Sequence, residues 1–129
     1  MKNILPLAIL LLFSAGLFAQ AGQVTATIDR NCNSIPAKLN IPSGKTAVNF
    51  SMETLNAGNN CYNGSKFEDR GFVIKNSNGD IVFKYTINKK GETYEPNGSL
   101  SSFNLGAGIY YIHVDGGNGA RLDLKYNLK

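Results

Sequence analysis

The side chains able to do acid–base chemistry in this chain are few, and two of them lie close together. His113 is the only histidine among 129 residues, and Asp115 follows two positions later. Residues i and i+2 of an extended strand share a face, so the carboxylate can orient the imidazole for general-base work or a pH-sensitive contact. No G-x-S-x-G elbow supplies a nucleophile, and one histidine cannot hold zinc without other strong ligands. The ordinary reading of His113 is a solvated residue on an exposed strand face. The chain is therefore expected not to be an enzyme.

Four carboxylates, Glu68, Asp69, Asp80 and Asp115, fall in or beside expected loops, and Asn76, Asn78 and Asn118 can add carbonyl oxygens. Calcium asks for six to eight oxygens, and Asp115 with Asn118 is the place to look for it. Asn76-Ser77-Asn78-Gly79-Asp80 has a superficial likeness to a calcium loop, but its glycine comes too early and its spacing suits a hairpin. Calcium is the only cofactor considered, and no glycosidase signature accompanies these acids.

Six tyrosines and seven phenylalanines occur without any tryptophan. Tyr62, Tyr94 and Tyr111 are expected off the core faces, where an exposed tyrosine stripe can grip a polysaccharide or a protein. The plainer alternative is single surface tyrosines packing on their cross-strand neighbours. Cys32 and Cys61 are the only cysteines, and each sits in a polar, turn-rich setting. They are expected to form a disulfide stapling two loops, worth roughly 3–4 kcal/mol for a closed loop of this length. A redox-active pair would need the close spacing of a C-x-x-C motif, which is missing.

The elements that must position these residues read as strands separated by Gly, Asn and Ser turns. Strands are expected over 24–28, 37–41, 47–53, 71–77, 81–87, 100–105, 109–115 and 120–128. Val48, Phe50 and Met52 share one face of the third. Ile81, Phe83, Tyr85 and Ile87 point inward from the fifth, and Tyr110, Ile112 and Val114 from the seventh, opposite Tyr111, His113 and Asp115. Asn78-Gly79 signals a type I′ hairpin. Pro36 and Pro42 flank 37–41, which suggests an edge strand or an irregular connection there. Seven or eight such strands imply an all-β fold, one antiparallel β-sandwich. The longest segment without periodicity, 56–69, carries Cys61 and is a natural place for function.

The amino terminus explains the compartment these cysteines need. Lys2 precedes an almost wholly apolar run over 4–18, and Ala19-Gln20-Ala21 supplies a small-x-small cleavage pattern. This is read as a signal peptide over 1–21, cut after Ala19 or Ala21, with the domain over 22–129. The product is secreted or periplasmic and not inserted in a membrane. Removing 21 of the 129 residues leaves 108, one domain. Without Lys2, twelve basic residues face nine acidic ones, a mild excess of about +3. The basic residues are scattered singly apart from Lys89-Lys90, so no phosphate-binding row is visible and nucleic acid is not an expected partner.

The run Leu105-Gly106-Ala107-Gly108-Ile109-Tyr110-Tyr111, followed by a last hydrophobic strand, resembles the bacterial pre-peptidase C-terminal domain over about 103–128. The resemblance implies a jelly-roll-like β-sandwich of the kind that accompanies exported enzymes, where related modules bind substrate polymers and sometimes calcium. The chain departs from that pattern in carrying no catalytic domain. The combined expectation is an exported, non-catalytic module for an extracellular polymer such as a polysaccharide, or for an envelope or extracellular protein. A secreted inhibitor of a hydrolase is the alternative, with the positive charge arguing against a cationic lysozyme as target.

Overall fold

The computed structural model describes residues 20–129, so the apolar run over 4–18 lies outside the described residues. Nine antiparallel strands form two sheets: β1 (Gln20–Ile28), β2 (Ser34–Ile35), β3 (Ala37–Ile41), β4 (Ala47–Asn56), β5 (Arg70–Asn76), β6 (Ile81–Ile87), β7 (Thr93–Tyr94), β8 (Gly108–Asp115) and β9 (Arg121–Leu128). One sheet has the order β2-β1-β9-β4 and the other β3-β8-β5-β6-β7. Between them lies a single apolar core, as the one-sided alternation of the strands requires. The chain changes sheets at Pro36, with β2 pairing β1 on one side and β3 pairing β8 on the other. The flanking prolines do mark an edge, since β3 ends its sheet.

The core is organised along a chain of aromatic rings. Phe103 lies 5.9 Å from Phe50 of the four-stranded sheet and 4.6 Å from Phe83 of the five-stranded one. Tyr126 extends the chain beyond Phe50, and Phe72 and Tyr85 extend it beyond Phe83. Each such pair contributes about 0.5–1.5 kcal/mol beyond its buried area.

Four local readings of the sequence are corrected. The strand expected over 100–105 is instead a 3-10 turn, Leu100–Ser102, followed by one bridge between Leu105 and Ala47. A 3-10 turn brings residues i and i+3 to one face, so Leu100 and Phe103 both reach the core and the serines between them face solvent. In β4 Phe50 and Met52 do face the core, but Ala47 takes the place expected of Val48: Ala47 and Phe50 are buried and Met52 packs against the core. Asn49 has φ +56° at a bulge between Val48 and Ser51, and the extra residue shifts the alternation. Ile81 is half-exposed, because a register shift follows Ile74 where β5 pairs β6.

The hairpin at Asn78-Gly79 is present but is not type I′, since only Gly79 of the two has positive φ. Asn76 Oδ1 accepts the backbone N–H groups of Asn78 and Asp80, the pattern of a type I turn closed by a left-handed residue. The turn Asn88-Lys89-Lys90-Gly91-Glu92 repeats it, and so does Asp29-Arg30-Asn31-Cys32-Asn33. Cys32, at φ +62°, occupies the position that glycine takes in the other two.

Cys32 is bonded to Cys61, with their Cα atoms 6.0 Å apart, and this staples the β1–β2 turn to the loop after β4. The same loop docks by its backbone on the β8–β9 turn, where Asn59 N–H donates to the Asn118 carbonyl and Gly117 N–H to that of Ala57. A Cβ on Gly117 would collide with the Asn59 carbonyl, whereas Gly119 has open space and only its φ of +80° to satisfy. Gly117→Ala is therefore expected to lower stability by about 2–3 kcal/mol and Gly119→Ala by about 1 kcal/mol in urea unfolding. Equal losses would contradict this docking.

Candidate functional site

The two outer faces of the sandwich differ in how their charges are spent. On the four-stranded sheet, Thr25, Asp123 and Thr54 stand in one cross-strand row. Asp123 is 5% exposed although its strand position points outward. Arg121 covers it with two hydrogen bonds, Nε to Oδ2 at 2.9 Å and Nη2 to Oδ1 at 3.1 Å, and the Thr25 hydroxyl donates to Oδ1 at 2.6 Å. The Arg121 hydrogen bonds first, and then that of Thr25, hold the Asp123 carboxyl down at about 2. Lys125 and Glu53 pair beside this cluster at 3.0 Å. The charges on this face are matched.

The five-stranded sheet presents the opposite case. Its register sets Lys38, Tyr111 and Lys75 side by side on β3, β8 and β5. Two residues along, His113, Val73 and Lys84 form a second row across β8, β5 and β6. A third row runs Asp115, Gly71, Thr86 and Tyr94, which puts Tyr94 on the same face as Tyr111. Among the described residues Lys38, Lys75 and Lys84 enter no ion pair. Sequence reasoning left these lysines as scattered single charges. Their signal was present, since each stands at an outward position between core residues or beside one, but only the strand order shows that they converge.

His113 and Asp115 share this face, yet no hydrogen bond joins them. The His113 Nδ1 lies 3.3 Å from the Ser34 hydroxyl on β2. Partial burial lowers the imidazole pKa, Lys75 lowers it further, and Asp115 opposes both, so the neutral ring is favoured. The Asp115 carboxylate leans over Gly71, where a Cβ would stand 3.2 Å from Oδ2. Loss of water there raises its pKa, against the pull first of Lys84 and then of His113. A general-base dyad is not assembled.

The Asn118 carbonyl, the other expected calcium position, accepts the Asn59 N–H, and Asp115 has cationic neighbours. Among the described residues no three His, Cys, Asp or Glu side chains gather as a metal site. No family model, curated protein or solved structure matches this chain. Nor does any helix among the described residues have the length and apolarity to cross a membrane.

Tyr62 stands apart from the sheet face, 99% exposed at the tip of the disulfide-held loop. That loop and the 88–92 turn border an open groove of about 760 Å³, lined by Lys66, Phe67, Glu68, Asp69, Lys89 and Lys90. Its charges are mixed, and several are spent on structure: Asp69 Oδ1 accepts the Lys89 N–H, and Glu68 lies 3.9 Å from the Lys89 ammonium.

The Asp123 cluster makes a pH-dependent contribution of known sign. A carboxyl held below its unfolded pKa stabilises the fold above pH 4, and that contribution is lost as pH falls from about 4 to about 2. Replacing Asp123 by Ala is expected to cost about 1.5–3 kcal/mol at neutral pH. The unfolding midpoint of Asp123→Asn should fall less between pH 4 and 2 than that of the parent. Parallel curves would remove Asp123 as the cause.

Proposed function

We propose that the protein is an exported, non-catalytic binding module, and that the outer face of its five-stranded sheet holds an extracellular polymer. One observation carries this reading: Tyr94, Tyr111 and His113 share a face with Lys38, Lys75 and Lys84, which enter no ion pair among the described residues and have Asp115 as the single carboxylate in their rows. Tyr94, Lys38 and Lys84 are exposed and Tyr111, His113 and Lys75 half-buried; groups that the fold leaves unmatched remain available to a ligand, whereas the opposite face has spent its charges on itself. The likeness of 103–128 to pre-peptidase C-terminal modules supports the same class of role.

Export is part of the proposal. The disulfide accords with an oxidising compartment. Gln20 and Ala21 pair with Leu128 and Asn127 at the end of β1, which supports cleavage after Ala19, leaving that strand whole.

A second reading rests on Tyr62. A fully exposed aromatic on a loop fixed by Cys61 and by the Asn60–Ser65 backbone bond suits a secreted inhibitor that presents one rigid contact to a hydrolase.

The two readings separate in a pull-down from envelope and culture medium with the exported form. Retention on insoluble polysaccharide, cut several-fold by Tyr111→Ala or Tyr94→Ala and unaffected by Tyr62→Ala, is the expected outcome. Recovery of one protein in stoichiometric amount, lost with Tyr62→Ala, would overturn the polymer reading in favour of inhibition.

A further inference from the structure

Resting on the polymer reading, we infer that the ligand of the five-stranded face is an acidic polysaccharide, a chain of uronic acid rings seated across Lys38, Tyr111, Lys75 and Lys84. Tyr111 supplies a flat apolar surface for the C–H face of a sugar ring, and it is flanked on both sides by an ammonium group. Adjacent strands lie about 4.8 Å apart, so both lysines reach the rim of a ring stacked on that tyrosine, where a uronate carries its carboxylate. Lys84 stands one row further along and two strands across. Tyr94 closes the diagonal, about 20 Å from Tyr111 given three strand spacings and four residue rises. That distance spans a short oligosaccharide.

The rest of the face fits a chain of sugar rings bearing dispersed charge. Val73 lies between His113 and Lys84 and offers an apolar floor. Gly71 leaves its row without a side chain between Asp115 and Thr86. Asp115 is the single carboxylate in these rows, at the end of the face furthest from Tyr111. Single-stranded nucleic acid asks for aromatic rings under successive bases, and two tyrosines this far apart do not provide them. On the four-stranded face, Arg121 and Lys125 are already paired with Asp123 and Glu53.

The test is an NMR titration of the exported form with tetragalacturonate and, separately, with cellotetraose, a neutral tetrasaccharide. His113 is the only histidine, so its ring protons report on this face without overlap from other imidazoles. Tetragalacturonate is expected to shift the His113 and Tyr111 resonances, with affinity falling at least tenfold between about 0.05 and 0.5 M salt. A variant carrying Lys38→Gln, Lys75→Gln and Lys84→Gln should bind at least tenfold more weakly while unfolding at a similar temperature. Lys125→Gln, on the opposite face, should bind as the parent does.

Equal binding of cellotetraose, or undiminished binding by the triple variant, would overturn the acidic assignment and leave the polymer reading standing. Equal binding of an oligonucleotide of the same charge would overturn the glycan assignment. If neither oligosaccharide moves any resonance of this face, the polymer reading falls together with the inference.

Discussion

The structure depends on the crossing between β8 and β9. These neighbours in sequence belong to different sheets, so the Gly116-Gly117-Asn118-Gly119 turn is where the sandwich closes at one end. Two segments are fixed to that turn by main-chain contact. The loop after β4 docks through Ala57 and Asn59, and the end of β1 docks through Ile28, whose amide and carbonyl bond to Ala120 and Gly119. A backbone approach this close leaves no room for a side chain on Gly116 or Gly117. The Cys32–Cys61 bond then ties together the two segments already gathered there, reinforcing an arrangement that the glycine run permits.

This closure sets the register of both sheets and thereby distributes their charge. With β9 central in one sheet, Asp123 is brought between threonines of β1 and β4 and beneath Arg121, a matched cluster nearly closed to water. With β8 next to β5 and β3 in the other, three lysines that are distant in sequence come to surround Tyr111 and His113. The domain's mild positive excess looks dispersed along the chain. Across the fold three of these lysines gather on one face with only Asp115 beside them and no ion pair, and this asymmetry supports one face as the ligand surface and the other as structural.

Much of this was legible in the residues. Period-2 alternation gave the strand identities of β8 and β9 with their faces, because each has one wet side and one buried side. The cysteine settings pointed to a staple between loops. Reading failed where a single residue altered the alternation: Asn49 adds a bulge, and Leu100 with Phe103 follows a spacing of three in place of two. The lysine cluster was not legible at all, since convergence depends on a strand order that alternation alone does not supply. Asp123 alternates with Leu122 and Leu124 as an ordinary outward carboxylate does, and nothing in that pattern announces a burial that comes from Arg121 lying across it.

The central claim is that the five-stranded face meets the ligand. Lysine footprinting by acetylation, read by mass spectrometry with and without the native extracellular matrix, tests it whatever the ligand's chemical identity. Lys38, Lys75 and Lys84 are expected to lose reactivity on binding while Lys125 keeps its own. Protection of Lys66, Lys89 and Lys90 instead, with the three sheet lysines unchanged, would place the contact in the loop groove and contradict the account.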